Sequence, residues 1–147
     1  MANKIAGKIA KELQKIKGIR AAYLFGSAAK GTMTKLSDID VGIYLDEKLP
    51  ATHKIHLNAI SAVDKAFGAY RKKMFVDVVV MNKASPMLNY EIIKYGIFLF
   101  GDIKTKVELE TRIMSAFLDR KFYYDRHAEY VIERVAERGL NVGQRRH

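Results

Sequence analysis

Asp38 and Asp40 stand two residues apart at the start of an apolar run, Ile39 to Leu45. Side chains at i and i+2 of a strand point to the same face, so this spacing aims two carboxylates together. Their repulsion is costly unless something positive lies between them. A hard divalent cation such as Mg2+ prefers oxygen ligands and meets that need. A third carboxylate, Asp77, sits inside Val76-Asp77-Val78-Val79-Val80. A carboxylate in so apolar a strand needs a metal, a basic partner or a sheet edge facing a cleft. If the two strands are neighbours, three carboxylates converge and can hold two Mg2+ ions about 4 Å apart, as in-line phosphoryl transfer requires. Residue type alone leaves alternatives open. Asp77 could pair with Arg20 or a nearby lysine, and Asp38 and Asp40 could be solvated loop residues.

Gly26-Ser27 directly follows a predicted strand and opens a small, polar loop with a second glycine, Gly31. Glycine lets the backbone turn and lets a phosphate come close. Exposed N–H groups at such a turn attract anions. The Ser27 hydroxyl adds a donor and Lys30 a positive charge. The loop is not a P-loop, because Gly-Lys-Ser/Thr is absent.

The run from Gly26-Ser27 through Lys30 and Gly31 to Ser37-Asp38-Ile39-Asp40, with Asp77 on a later strand, resembles the nucleotidyltransferase signature of the DNA polymerase β superfamily. The whole chain looks like its minimal nucleotidyltransferase (MNT) branch, the antitoxins of HEPN/MNT toxin–antitoxin pairs. The resemblance implies an ATP site at Gly26, Ser27, Lys30 and Ser37. It implies Mg2+, two ions in the active complex, on Asp38, Asp40 and Asp77, with Asp77 also helping to activate the incoming hydroxyl. AMP would pass from ATP to a hydroxyl acceptor, a tyrosine of a partner HEPN toxin, and pyrophosphate would leave. Two alternatives are a binding-only antitoxin with weak or no catalysis, and a transferase acting on a small molecule or an RNA end. One departure is visible. Many relatives carry arginines where this chain has Ala28 and Lys30, and lysine keeps the charge without the bidentate fork.

These residues need elements to position them. Ile5, Ile9, Leu13 and Ile16 predict a helix over 3–17, with Lys4, Lys8, Lys11 and Lys15 as a solvated stripe beside it and Gly18 at its end. Strands are predicted over 20–25, 38–45, 74–81 and 97–100. A loop with one helical turn is predicted over 28–36. A helix over 51–70 carries Ile60, Val63, Phe67 and Tyr70 at helical spacing. Another runs from Pro86 to Tyr95, ended by Gly96. Residues 104–138 read as helical with a break near Asp119, and 139–147 as a frayed tail. The order predicts an α/β (α+β) fold, a small mixed sheet flanked by helices, in a single nucleotidyltransferase domain with its catalytic core over 1–103.

Composition narrows the classes. The 147 residues are 49% apolar, enough for a core, and 29% charged. There is no cysteine, which excludes disulfides, thiolate zinc sites and a cysteine nucleophile. No apolar run approaches the roughly 20 residues of a membrane span, so a cytoplasmic protein is expected. The net charge is +10, and residues 1–73 carry most of it, with 14 basic and 6 acidic side chains. Such a field suits a polyphosphate, a nucleic acid or an acidic protein surface. A nucleic-acid partner is the less favoured reading, and a homo-oligomer remains open. His53 and His56 lack a third ligand at zinc spacing. Arg120, His127 and Tyr130 superficially resemble a HEPN ribonuclease motif, but one helical segment is not that domain. Tyr123, Tyr124 and Tyr130 read as packing residues or part of a partner interface.

Overall fold

The computed structural model describes residues 2–34, 37–50, 52–67 and 75–139. The elements, in chain order, are α1 (Ala2–Leu13), β1 (Ile19–Phe25), α2 (Gly26–Lys30), β2 (Ile39–Leu45), α3 (Thr52–Phe67), β3 (Val76–Val80), α4 (Pro86–Tyr95), β4 (Ile97–Gly101) and α5 (Ile103–Arg138). The four strands form one mixed sheet in the order β3-β2-β1-β4. β1 is antiparallel to both β2 and β4, and β2 is parallel to β3.

Both faces of the sheet are covered, which is why β1 and β2 are apolar almost throughout. Ile39, Val41, Ile43 and Leu45 pack with Ile9 and Leu13 of α1 and with Ile55, Ala59, Val63 and Phe67 of α3. The opposite face carries Ala21, Tyr23 and Tyr44, which pack with Ile92 of α4 and Leu109 and Ile113 of α5. Strand alternation assigns Asp40 and Gly42 to this second face, beside Tyr44. Gly42 is open enough there for Ile92 to lie against it; an added Cβ would stand 3.2 Å from that side chain.

The helix ends follow local chemistry. Ser85 caps α4 by accepting from the Leu88 N–H at 3.2 Å, with Pro86 in the first turn. Asp102 caps α5, accepting from the Thr105 N–H at 2.8 Å and its hydroxyl at 2.9 Å. Arg20, at the start of β1, donates to the same Thr105 hydroxyl at 2.8 Å and ties α5 to the sheet.

The expected elements are present, with several differences. α1 ends at Leu13, and residues 14–18 continue as tight turns through bonds such as Ile16 N–H to Leu13 O, 3.0 Å. Gly18 therefore lies beyond the helix, at φ 99, with Leu49 and Ile55 against it. The helical turn expected in the loop falls at residues 26–30, starting two residues earlier than the predicted loop. The buried stripe of α3 runs through Ile55, Ala59, Val63 and Phe67, with Ile60 on its flank; Tyr70 lies outside the described residues, as does the tail from 140. α5 does not break near Asp119. Residues 114–126 contain neither glycine nor proline, so nothing local forces a break, and the helix continues after its contacts with the sheet end. From Leu118 to Arg138 every side chain is exposed, a projection of roughly 30 Å.

Candidate active site

One row of backbone across the sheet assembles the site. Asp77 of β3 is the register partner of Asp40 on β2, and Asp40 is the partner of Phe25, the last residue of β1. Leu24 pairs with Ile97, so Gly96 and Tyr95 come next in the row. Register partners present their side chains to one face. Asp40 and Asp77 are thus side by side, and Asp38, two residues before Asp40, belongs to the same face.

Gly26 turns the chain away from β1 at φ 69, in the left-handed region that favours glycine. A Cβ there would collide with the Asp40 carboxylate. The turn and the carboxylate therefore occupy one another's space. Gly31 closes α2 in the left-handed conformation, φ 70, with its N–H bonded to the Ser27 carbonyl. Ser37 is differently engaged from the other loop residues. Its hydroxyl accepts from the Thr34 N–H at 2.9 Å and lies 3.1 Å from the Thr34 hydroxyl, so it shapes the approach to Asp38.

Asp40 is half-buried, whereas Asp38 and Asp77 are exposed. Partial burial, reinforced by the charges of Asp77 and then Asp38, pushes the Asp40 carboxyl above its ordinary range. Among the described residues none of the three carboxylates has an ion-pair partner within reach. The Arg20 alternative is overturned: Arg20 sits at the far end of β1 and donates to Thr105. The three carboxylates adjoin without closing into a cage, and among the described residues no three Asp, Glu or His side chains converge at ligating distance. Three oxygen donors sharing uncompensated charge are the donor set that suits Mg2+.

Lys94 and Tyr95, which no sequence pattern singled out, complete the row beside Lys30. Lys30 lies over the Tyr95 ring, its Nζ 5.3 Å from the centroid. Lys94 lies over the same ring at 5.0 Å and over Tyr90 at 5.3 Å. Contact with Tyr95, then Tyr90, holds the Lys94 ammonium above the usual lysine range, so it is charged at neutral pH. The nearest hint in the sequence is the break at Gly96; only the pairing of β4 with β1 brings Lys94 and Tyr95 next to Lys30.

Other features are structural. His56 Nε2 is 2.6 Å from the Val78 carbonyl, tying α3 to β3. A groove of about 520 Å3, lined by Lys15, Lys17, Lys54 and Lys65, lies between α1 and α3 on the face away from Asp40. Among the described residues no helix is long and apolar enough to cross a membrane.

Comparisons with known proteins agree with this geometry. Residues 7–105 match the family model described as polymerase beta, nucleotidyltransferase. No match is found among curated protein sequences. Among solved structures, a chain of a toxin–antitoxin complex with AMP-PNP superposes with a TM-score of 0.69 at 23% identity, covering 86% of this chain and 98% of that one. A chain from tri-AMPylated Shewanella oneidensis HEPN toxin in complex with MNT antitoxin gives 0.65 at 20% identity, covering 90% and 99%. A chain of the MntA–HepT toxin–antitoxin gives 0.64 at 20% identity, covering 88% and 98%. At these identities the structures speak for the fold, while the family model spans about two thirds of the chain and takes in Gly26, Asp38, Asp40 and Asp77. The chain belongs to the polymerase β nucleotidyltransferase family.

Proposed function

We propose that this nucleotidyltransferase moves AMP from ATP to a tyrosine hydroxyl of a HEPN-type toxin and so acts as its antitoxin. The observation that carries the reading is the register of Asp40 against Asp77, with Asp38 on the same face and Gly26 packed against Asp40. In the reaction the acceptor oxygen bonds to the α-phosphorus. The bond from that phosphorus to the bridging oxygen breaks, and pyrophosphate departs with the electron pair. The hydroxyl proton passes to the Asp77 carboxylate. Asp38 and Asp40, with Asp77, would hold Mg2+, which would supply charge neutralisation on the transferring phosphoryl group. Gly26, Ser27 and Lys30 would hold the phosphates, and Ser37 would keep the Asp38 loop in place. Catalysis by such a site is mostly positioning and electrostatics.

The acceptor reading draws support from the structural neighbours, which include an MNT antitoxin bound to a tri-AMPylated HEPN toxin. The test is label transfer. The chain is incubated with Mg2+, ATP labelled at the α-phosphate and extract of its source cells, then run on a denaturing gel. A labelled small protein, absent with the Asp38→Asn, Asp40→Asn double variant, is the expected result. Released pyrophosphate without labelled protein would redirect the acceptor to a small molecule or RNA end. Neither signal, with an active toxin in the extract, would leave a binding-only antitoxin.

A further inference from the structure

The row Asp77–Asp40–Phe25–Gly96 has opposite charge at its two ends. The carboxylates occupy the β3–β2 end. At the β1–β4 end, Lys30 and Lys94 approach one ring from two different helices, at 5.3 and 5.0 Å from its centroid. Among the described residues neither lysine has an ion-pair partner. Two ammonium groups gathered around one ring without a carboxylate partner favour an anion there. The position of Tyr95 is not left to chance. Gly96 donates its N–H to the Ile92 carbonyl at 2.9 Å, and a Cβ at Gly96 would strike the backbone of both Ile92 and Leu24. That close approach pins the end of α4 to β1, next to Gly26. The aromatic face attracts cations and gives both flexible lysines a common resting place.

We propose that Lys94 and Lys30, gathered on the Tyr95 ring, form the seat for the β- and γ-phosphates of the nucleoside triphosphate, with Lys94 as a phosphate-binding residue and Tyr95 as a positioning residue. The inference rests on the reading of ATP as the donor substrate. It assigns the two ends of the row separate tasks. The acidic end takes the metal and the acceptor hydroxyl. The basic end takes the departing pyrophosphate and offsets its growing charge. Lys94 adds a second cation beside Lys30 of α2. Without Tyr95 the two ammonium groups would lose their shared position, and the triphosphate would have to order them on binding, at an entropic cost.

The experiment is calorimetric titration of the full chain with ATP and with AMP, both with Mg2+. The proteins are wild type and the variants Lys94→Ala, Tyr95→Ala, Tyr95→Phe and Lys54→Ala. Lys54 lines the groove on the opposite face, so its variant removes the same charge elsewhere. Lys94→Ala should weaken ATP binding about ten-fold or more, the size of one charge-assisted contact, and leave AMP unchanged. Tyr95→Ala should weaken ATP in the same selective way. Tyr95→Phe removes the hydroxyl bonded to Lys94 but keeps the ring under both lysines, so it should lose less ATP affinity than Tyr95→Ala. Lys54→Ala should bind as wild type does. ATP affinity within two-fold of wild type for Lys94→Ala, or equal losses for ATP and AMP, would overturn the inference while leaving ATP as the donor. A wild-type chain that binds no ATP would overturn the donor reading and this inference with it.

Discussion

Gly26 and the carboxylate of Asp40 share a space that holds only one of them: a Cβ on residue 26 would sit where the Asp40 oxygen is. The residue that turns the chain out of β1 thus also sets where the most buried carboxylate of the site can point. Gly26→Ala meets two penalties. A left-handed φ of 69 costs an L-residue roughly 1–2 kcal/mol. The added methyl also displaces Asp40. Transferase activity should fall far more than the stability loss explains, since the chain stays mostly folded while its site is misplaced. Thermal unfolding and single-turnover label transfer on the same sample check this. A variant that melts lower but transfers at the wild-type rate would refute it.

Asp40 carries its charge at a cost, through partial burial and through Asp77 and Asp38. Asp40→Asn removes that repulsion, so the metal-free variant should melt at or above the wild-type temperature at neutral pH. Ligand binding to the folded state raises apparent stability, so millimolar Mg2+ should raise the melting point of wild type and not that of Asp40→Asn or Asp77→Asn. Differential scanning fluorimetry with Mg2+ and with EDTA reads both effects. An equal Mg2+ shift in all three proteins would place the ion elsewhere.

Tyr23 lies buried in the sheet and donates to Glu110 at 2.9 Å, joining β1 to α5. Burial, then the Glu110 carboxylate, pushes its phenol well above the ordinary tyrosine range. The folded state therefore keeps a proton that the unfolded chain releases near pH 10. Stability from this source is complete below pH 10 and declines as pH rises beyond it. Tyr23→Phe should cost about 1 kcal/mol at pH 7, the net worth of the hydrogen bond. The gap between the two proteins should narrow above pH 10. Urea unfolding at pH 7 and pH 10.5 tests the sign.

The exposed half of α5, from Leu118 to Arg138, contributes nothing to either core, whereas Leu109, Ile113 and the Phe117 ring stacked 3.7 Å from Tyr90 hold the first half down. A chain ending after Leu118 should unfold within about 0.5 kcal/mol of the full chain, as surface changes do. Ile92→Ala, at the centre of the α4 contact with the sheet, should cost about 2–5 kcal/mol. Denaturant midpoints compare the two. A large loss on truncation would mean that the projecting half packs against the body.

Local chemistry made much of this molecule legible in advance. The alternation of Asp38, Ile39 and Asp40, the β-branched run around Asp77, and the Ser85-Pro86 and Gly96 punctuation of α4 are short-range signals. Each depends on neighbours within a turn or a strand. The elements and the carboxylate set were therefore readable, and the sequence also determined that Gly26 opens a loop beside them. Two matters were decided only by tertiary structure. β2 and β3 had to be adjacent, parallel and in register for Asp40 to meet Asp77, and a slip of one residue would have turned Asp77 to the other face. Lys94 and Tyr95 were invisible because nothing local marks a lysine and a tyrosine before a glycine. They join the site through the pairing of Leu24 with Ile97, between residues more than seventy positions apart, which no window along the chain can contain.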